Sequence, residues 1–153
     1  ALEVGYNPKI ILESRKLNDG MGSYVADQVS KLMIKKRIHV IGANVLIMGL
    51  TFKENCPDLR NTQVIELINE LEKYKCNIDV YDPWVNKSEA FHEYSIEPID
   101  QPAAGKYDAV LLAVAHDEFE ELSVDEIKSY GKDNYVLYDI KYLLDVNEVD
   151  GRL

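Results

Sequence analysis

Cysteine and histidine are scarce in this chain of 153 residues, and acidic side chains outnumber basic ones by 27 to 17. The two cysteines, Cys56 and Cys76, form no CxxC pair, and we expect both to be reduced thiols. The three histidines are too scattered in the sequence to predict a metal site. The net charge of −10 argues against nucleic acid as a partner, because phosphate backbones require a basic protein surface.

Long apolar runs are also missing. No run approaches the roughly 18 apolar residues that a membrane-spanning helix needs, so we expect no membrane partner. The first residues show no basic segment followed by an apolar core, so no signal peptide is expected and the predicted location is cytoplasmic. Because the chain begins with Ala1 rather than methionine, we expect a processed protein or a piece of a longer one.

The glycines do not form a phosphate-binding fingerprint. Gly49 follows the apolar residues 45–48, but the next residues are Leu-Thr-Phe-Lys, which match neither GxGxxG nor a Walker loop. A phosphate bound at this point would therefore be held mainly by side chains.

Apolar runs and amphipathic segments alternate along the chain, which predicts an α/β fold with a mainly parallel sheet and helices on both faces. The predicted strands are residues 45–48, 78–81, 109–114 and 135–139. The predicted helices are residues 64–74, a weak one at 88–94, and 123–130, and residues 96–99 form either a short strand or a loop.

A long amphipathic helix is predicted for residues 10–36, with a kink or a start near Asp19 because glycines follow it. Such a helix either packs on the core of one domain, or it joins two domains or pairs with a second subunit. We place the domain boundary after it, giving a linking helix at 1–36 and an α/β domain at 37–153.

Residues 49–62 (GLTFKENCPDLRNT) are longer and more charged than a simple connection of about two to six residues. Loops at the carboxyl ends of parallel strands are where open α/β sheets bind ligands. Lys53 is either a point charge for a phosphate or sugar oxygen, or a solvated loop lysine. Asp58 and Arg60 either form a local ion pair, or Asp58 holds the planar fork of Arg60 ready for an anion or amide. Cys56 has no histidine near it in sequence, which argues against a nucleophile.

Other polar residues follow strands that are predicted to end at the same edge of the sheet. Asp82 either accepts a ribose hydroxyl or caps the turn at Pro83. Asp139 ends the last predicted strand, and His116 either joins the ligand site or is an ordinary loop histidine.

Three cations, Lys53, Arg60 and Lys141, are therefore predicted to converge on one rim despite their separation in sequence. In a chain of net charge −10, that convergence favours an anionic ligand. No serine triad, paired catalytic carboxylates or metal cluster emerges from the spacing. The residues alone predict an α/β domain that binds an anionic small molecule.

Residues 49–62 closely resemble the signature of the C-terminal, UDP-binding domain of the UDP-glucose/GDP-mannose dehydrogenase family. The variant FKENCPDLRN at 52–61 is most similar to the branch that acts on UDP-N-acetylhexosamines. Supporting motifs follow in the family's order: RKLNDGM at 15–21, YDPW at 81–84, HDEF at 116–119 and DIK at 139–141. The resemblance covers about residues 5–145 and implies a Rossmann-like domain preceded by a long linking and dimerisation helix.

The resemblance also implies an activity for the complete enzyme, which oxidises the sugar C6 alcohol twice to a carboxylate with two NAD+, for surface polysaccharide precursors. The family's catalytic cysteine and NAD-binding domain lie upstream of the long helix, and Cys56 does not match the motif of that cysteine. The chain is thus expected to bind a UDP-sugar, to act with the rest of a dehydrogenase chain and a second copy of itself, and to be inactive alone.

Individual positions match the family's functional residues. Phe52 and Lys53 match the positions that contact the UDP-sugar, and Arg60 matches an arginine that reaches the NAD bound on the other domain. Lys141 stands where some members have a substrate-binding arginine, so it keeps the charge without the bidentate fork.

Two rival interpretations remain at this stage. One is a non-catalytic module that dimerises through the helix around residues 17–33. The other is a free-standing, flavodoxin-like nucleotide-binding protein.

Overall fold

The computed structural model describes residues 20–153, which form one five-stranded parallel sheet with helices on both faces. The α-helices are α1 (Met21–Lys35), α2 (Val64–Lys73), α3 (Lys87–Tyr94), α4 (Asp117–Glu120) and α5 (Val124–Ser129), with a short 3-10 helix at Val146–Glu148. The strands are β1 (Asn44–Met48), β2 (Asn77–Tyr81), β3 (Tyr107–Leu112), β4 (Gly131–Asp139) and β5 (Gly151–Arg152). Within this part of the chain, no helix is long and apolar enough to cross a membrane.

The strands lie in the order β2-β1-β3-β4-β5, and each neighbouring pair is parallel. Met48 at the end of β1 is in register with Tyr81 on one side and Leu112 on the other. Leu112 is in turn in register with Asp139. The segments that follow these strands therefore leave the sheet at one edge, where open α/β sheets bind ligands.

Alternate side chains of each central strand enter two separate cores. Val45 and Ile47 of β1 belong to the core under α1, α2 and α3, whereas Leu46 and Met48 belong to the core under α4 and α5. All four side chains are fully buried, which explains why the β1 sequence is continuously apolar. The predicted α/β class, with helices on both faces, is confirmed.

The described part of the long helix packs on the sheet. Val25, Ala26, Val29 and Met33 of α1 are buried in the core beneath it. Gly22 lets α1 approach α2 closely, because a Cβ there would lie 2.6 Å from the backbone nitrogen of Leu67. The core-packing interpretation therefore holds for Met21–Lys35.

The structure describes only part of the predicted long helix. Residues 10–19 of the predicted helix lie outside the described residues, whereas α1 ends at Lys35, one residue before the predicted end. The boundary between a linking helix at 1–36 and a domain at 37–153 also stays a prediction.

Several element boundaries differ from those predicted. β3 occupies residues 107–112 rather than 109–114, because Ala113 and Val114 turn out of the ladder and donate both N–H groups to the Met48 carbonyl. β4 begins four residues early, at Gly131, and takes in polar residues. Residues 96–99 form a loop, and the sequence did not predict α4 or the two-residue β5.

Candidate functional site

The loop at 49–62 begins with a close contact between the ends of β1 and β3. Gly49 has φ +102°, and a Cβ at this position would lie 2.5 Å from the Val114 Cβ and 2.7 Å from the Val114 nitrogen. A side chain is thus excluded by both the backbone conformation and the available space. Gly49 serves the packing of two strand ends rather than a glycine-rich phosphate loop.

Asp82, just after β2, holds the first turn of this loop. Its Oδ2 accepts hydrogen bonds from the N–H groups of Leu50 at 2.6 Å and Thr51 at 3.0 Å, and its Oδ1 accepts from Trp84 N–H at 2.8 Å. Burial raises the pKa of this carboxyl, but the hydrogen bonds from His116 and from the two loop N–H groups outweigh burial and hold the pKa below its ordinary value. Of the two roles considered for Asp82, the geometry is that of a turn cap.

His116 is completely buried beside Asp82 and bonds to the same loop at two points. Its Nδ1 accepts the Asn55 N–H at 3.0 Å, whereas its Nε2 lies 3.0 Å from Asp82 Oδ2 and 3.2 Å from Thr51 Oγ1. Because Nδ1 accepts a hydrogen bond, the neutral ring carries its proton on Nε2 and donates it to Asp82.

The sequence placed His116 after the third strand, at the carboxyl edge of the sheet, and left open whether it joins the ligand site or is a loop histidine. Its complete burial beside Asp82 was not predicted. His116 also packs edge-on against Phe119 at 5.4 Å between ring centroids, and Trp84 stacks over its other side at 6.4 Å. These aromatic contacts enclose the imidazole.

Asn55 joins the loop to the start of α4. Its side-chain oxygen accepts the Asp117 N–H at 3.0 Å, and its side-chain nitrogen donates to Asp117 Oδ1 at 2.8 Å. The residue adopts φ +53°, a left-handed conformation that asparagine tolerates better than most residues. The tip of the loop is thus attached to Asp117, the first residue of α4.

The second half of the loop is also tied down. Phe52 N–H donates to the Asp58 carbonyl at 2.8 Å, and the Tyr94 hydroxyl of α3 donates to the Leu59 carbonyl at 2.9 Å. Leu59 is buried in the core. Residues 49–62 therefore form a hydrogen-bonded structure rather than a loose connection.

A cavity of about 320 Å³ lies between this loop, the starts of α1 and α2, and the segment after β4. It is lined by Met21, Gly22, Val25, Thr51, Phe52, Thr62, Gln63, Val64, Leu67, Ala113, Val114, Ile140, Lys141 and Leu153. Two predicted site residues, Phe52 and Lys141, are thus brought together although they lie 89 positions apart in the sequence. The walls are mainly apolar, with Lys141 as the cation among the described lining residues.

Helix ends add positive potential to the same cavity. Met21 and Val64, the first residues of α1 and α2, both line it. The N-cap residue of α2, Gln63, makes no side-chain cap hydrogen bond. The N–H groups at such a terminus and the helix dipole favour a negatively charged ligand.

The other two predicted site residues lie outside the lining of this cavity. Arg60 forms a bidentate ion pair with Asp58, at 3.0 Å from Nε to Oδ1 and 2.9 Å from Nη2 to Oδ2. This pairing lowers the pKa of Asp58 to about 2, and the nearby charge of Lys53 acts in the same direction. The Arg60 side chain is 83% exposed, so its remaining N–H groups face outward. Of the three cations predicted to converge on one rim, only Lys141 lines the cavity, beside Phe52, whereas Lys53 and Arg60 lie outside its lining.

Comparison with known proteins identifies the family. The family model for the UDP binding domain of the UDP-glucose/GDP-mannose dehydrogenase family matches residues 46–146. The chain belongs to the UDP-glucose/GDP-mannose dehydrogenase family. The matched region contains Phe52, Lys53, Arg60 and Lys141, so the resemblance in the sequence is confirmed at the level of the family.

Curated relatives in this family share much of the sequence. The chain is 56% identical over 153 residues to a UDP-N-acetyl-D-glucosamine 6-dehydrogenase of Pseudomonas aeruginosa, covering 100% of this chain and 36% of the relative. It is 50% identical over 150 residues to an enzyme of the same name in Salmonella typhi, covering 98% of this chain and 35% of the relative. The chain therefore spans about a third of the length of the curated relatives that it matches.

A solved dehydrogenase structure confirms the fold. An NDP-N-acetyl-D-galactosaminuronic acid dehydrogenase from Methanosarcina mazei Go1 superimposes with a TM-score of 0.80 at 22% identity. The match covers 94% of this chain and 30% of the solved one. The Rossmann-like arrangement expected from the sequence is thus present.

Proposed function

We propose that this chain is the nucleotide-sugar-binding part of an NAD-dependent UDP-N-acetylhexosamine 6-dehydrogenase, which oxidises the sugar C6 alcohol to a carboxylate. The observation that carries the proposal is the cavity at the carboxyl edge of the sheet, because ten of its fourteen lining residues lie in the region that matches the family's UDP binding domain. The names of the bacterial relatives support an N-acetylglucosamine nucleotide as the substrate.

The cavity has the chemistry that a nucleotide diphosphate requires. Its apolar walls and the exposed ring of Phe52 provide surfaces for a uracil base, which is flat and weakly polar. Lys141 and the amino terminus of α2 provide positive potential for the diphosphate. Lys53, next to Phe52, is exposed toward solvent and reaches ligand atoms that project from the cavity.

Arg60 suits a role outside the cavity. Asp58 engages Nε and Nη2 of its guanidinium, which fixes the orientation of the planar fork and leaves Nη1 outside the pair. In our proposal this outward N–H edge meets the diphosphate of NAD held mainly by another part of the enzyme. NAD supplies the hydride acceptor, and this chain contributes only charge and orientation to its binding.

We propose that catalysis takes place in the part of the complete enzyme that this chain does not span. Neither free thiol belongs to the cavity lining described above, and we propose that the nucleophilic cysteine and the NAD-binding domain lie in the two thirds that this chain does not span. The chain alone then binds a UDP-sugar without oxidising it. The two free thiols and the net charge of −10 agree with the cytoplasmic location that we propose.

A homodimer is the second part of the proposal. Tyr24 and Ile34 of α1 are 52% and 65% exposed, and both project from the face of the helix that does not pack on the sheet. Exposed apolar side chains on an otherwise amphipathic helix favour a partner surface. Light scattering tests this directly, and a monomer at micromolar concentration would contradict it.

Titration with UDP tests the binding function. We expect UDP, and not NAD, to raise the melting temperature of this chain, because a ligand that binds only the folded state stabilises it. Lys141→Ala and Lys53→Ala should each weaken UDP binding by about tenfold, the equivalent of one charge-assisted hydrogen bond. Lys35→Ala is the matched control, since Lys35 is exposed at the far end of α1. An unchanged melting temperature at millimolar UDP would sink the proposal.

A further inference from the structure

The imidazole of His116 contacts both ends of residues 51–55, the short turn that contains Phe52 and Lys53. Thr51 precedes this pair and lies 3.2 Å from His116 Nε2 through its hydroxyl, and Asn55 follows it and donates its N–H to Nδ1 at 3.0 Å. Phe52 and Lys53 themselves are exposed. The residues expected to touch the ligand therefore depend on anchors on either side of them.

The two anchors differ in how much they depend on His116. Thr51 is also held by its own N–H to Asp82 and by its hydroxyl, which donates to the Lys53 carbonyl at 3.2 Å. The Asn55 N–H, in contrast, donates to His116 Nδ1. Loss of Nδ1 thus removes the acceptor of the Asn55 backbone and leaves that residue attached through its side chain to Asp117, whereas loss of Nε2 leaves the Thr51 backbone bond to Asp82 in place.

We propose that His116 is a positioning residue for the nucleotide-sugar: its unprotonated Nδ1 fixes Asn55 and thereby the pose of Phe52 and Lys53. The inference depends on the proposed function only for the identity of the ligand. His116 is fully buried, so it acts on the ligand through the turn and not by contact. A turn that is ordered before binding requires less loss of conformational entropy when the ligand arrives, and this raises affinity.

Two amide substitutions separate the two ring nitrogens. In His116→Asn, the side-chain oxygen takes the place of Nδ1 and still accepts the Asn55 N–H, but the contact with Asp82 is lost. In His116→Gln, the side-chain nitrogen takes the place of Nε2 and still donates to Asp82, but the acceptor for Asn55 is lost. His39→Gln is the control, because His39 is exposed before β1.

The first measurement needs no ligand. Imidazole nitrogen shifts by NMR should show Nδ1 unprotonated and Nε2 protonated in the parent chain, and the opposite tautomer would overturn the proposal. Amide hydrogen exchange at Asn55 should accelerate by about tenfold or more in His116→Gln, as expected for one lost hydrogen bond, and stay within about threefold in His116→Asn.

The second measurement is calorimetric titration with UDP. We expect the Kd for UDP to rise about tenfold in His116→Gln and to stay within about threefold of the parent in His116→Asn, even though His116→Asn loses the bond to buried Asp82 and so has the lower melting temperature. An equal loss of UDP affinity in both variants would show a merely structural role for His116. A loss of affinity that follows the loss of melting temperature would show the same. If the parent itself fails to bind UDP, the proposed function fails, and the exchange rates at Asn55 alone decide whether His116 orders the turn.

Discussion

The Thr62 hydroxyl donates a 2.6 Å hydrogen bond to the carbonyl of Leu50, across twelve positions of the chain. Both residues are buried, so the bond closes the base of the loop where water does not compete. This bond at the base of the loop adds to the bonds that Asp82 accepts in the first turn and to the bond that His116 accepts from Asn55.

Thr62→Val should reduce the stability of the whole domain. Valine matches threonine in shape but cannot donate, so the buried Leu50 carbonyl loses its partner, at a cost of about 1–3 kcal/mol in the free energy of unfolding. Urea denaturation measures the loss. Thr62→Ser keeps the hydroxyl and should lose less, and equal losses in the two variants would contradict the assignment to the hydrogen bond.

Gly49→Ala should be far more damaging than the same change at Gly105. Both glycines have positive φ, +102° and +66°, but a Cβ at Gly49 meets Val114 at 2.5 Å, whereas a Cβ at Gly105 has no atom within 4 Å. Backbone strain alone should cost about 1–2 kcal/mol at Gly105. At Gly49 the ends of β1 and β3 must also separate, so we expect a loss larger by about 2 kcal/mol or more. Similar denaturant midpoints for Gly49→Ala and Gly105→Ala would contradict the proposed steric clash with Val114.

Asp82 should make the protein sensitive to acid. The pKa of Asp82 lies below its ordinary value of 3.8 in the folded state, so the unfolded chain binds the proton more readily. Its contribution to stability is therefore present above about pH 3.8 and is lost as the pH falls through the folded pKa.

Asp82→Asn tests this contribution. We expect a loss of about 1–3 kcal/mol in unfolding free energy at pH 7, with a smaller further loss than the parent shows between pH 4 and pH 2. Glu121→Gln, at an exposed acid beyond α4, controls for the change in net charge. A parallel pH dependence in the parent and Asp82→Asn would contradict the prediction.

Asp58→Asn should alter cofactor use without altering stability. The Asp58–Arg60 pair is exposed, and exposed ion pairs contribute little to folding, so the melting temperature at pH 7 should be unchanged. In the complete enzyme, however, the Arg60 fork loses its fixed orientation, and the KM for NAD should rise with little change in kcat. Asp27→Asn breaks an equally exposed pair with Lys31 on α1 and is the control. An unchanged KM for NAD would show that Asp58 has no part in binding the cofactor.

The sequence predicted the fold class because the periodicity of apolar residues and the length of each apolar run are local properties. The apolar run of β1 and the amphipathic α2 each show their burial pattern within about ten residues, and both were located correctly. The two-residue β5 was missed because its pairing with β4 depends on tertiary position rather than on any local pattern. β4 was predicted too short because its first residues are polar and lie exposed at the start of the strand.

The candidate site was predictable only in part. Parallel strands predicted that Lys53, Arg60 and Lys141 converge at one edge, but only Lys141 lines the cavity, together with Phe52, which the family resemblance had indicated. The orientation of the Arg60 side chain depends on its ion pair with Asp58, two residues earlier. The sequence spacing does not determine where that pair points. The burial of His116 was not predicted, because burial of a polar side chain depends on partners, here Asp82 and Asn55, that are far away in sequence.

The order of the strands has a consequence for how the site comes into being during folding. β1 pairs with β3 only after the chain has passed through α2, β2 and α3, and contacts of such high sequence separation form slowly. The loop's anchors at Asp82 and His116 lie 31 and 65 positions beyond Thr51. A nascent chain that has emerged only as far as residue 62 therefore carries the entire family signature and none of its binding geometry, which arises only when β3 has joined the sheet.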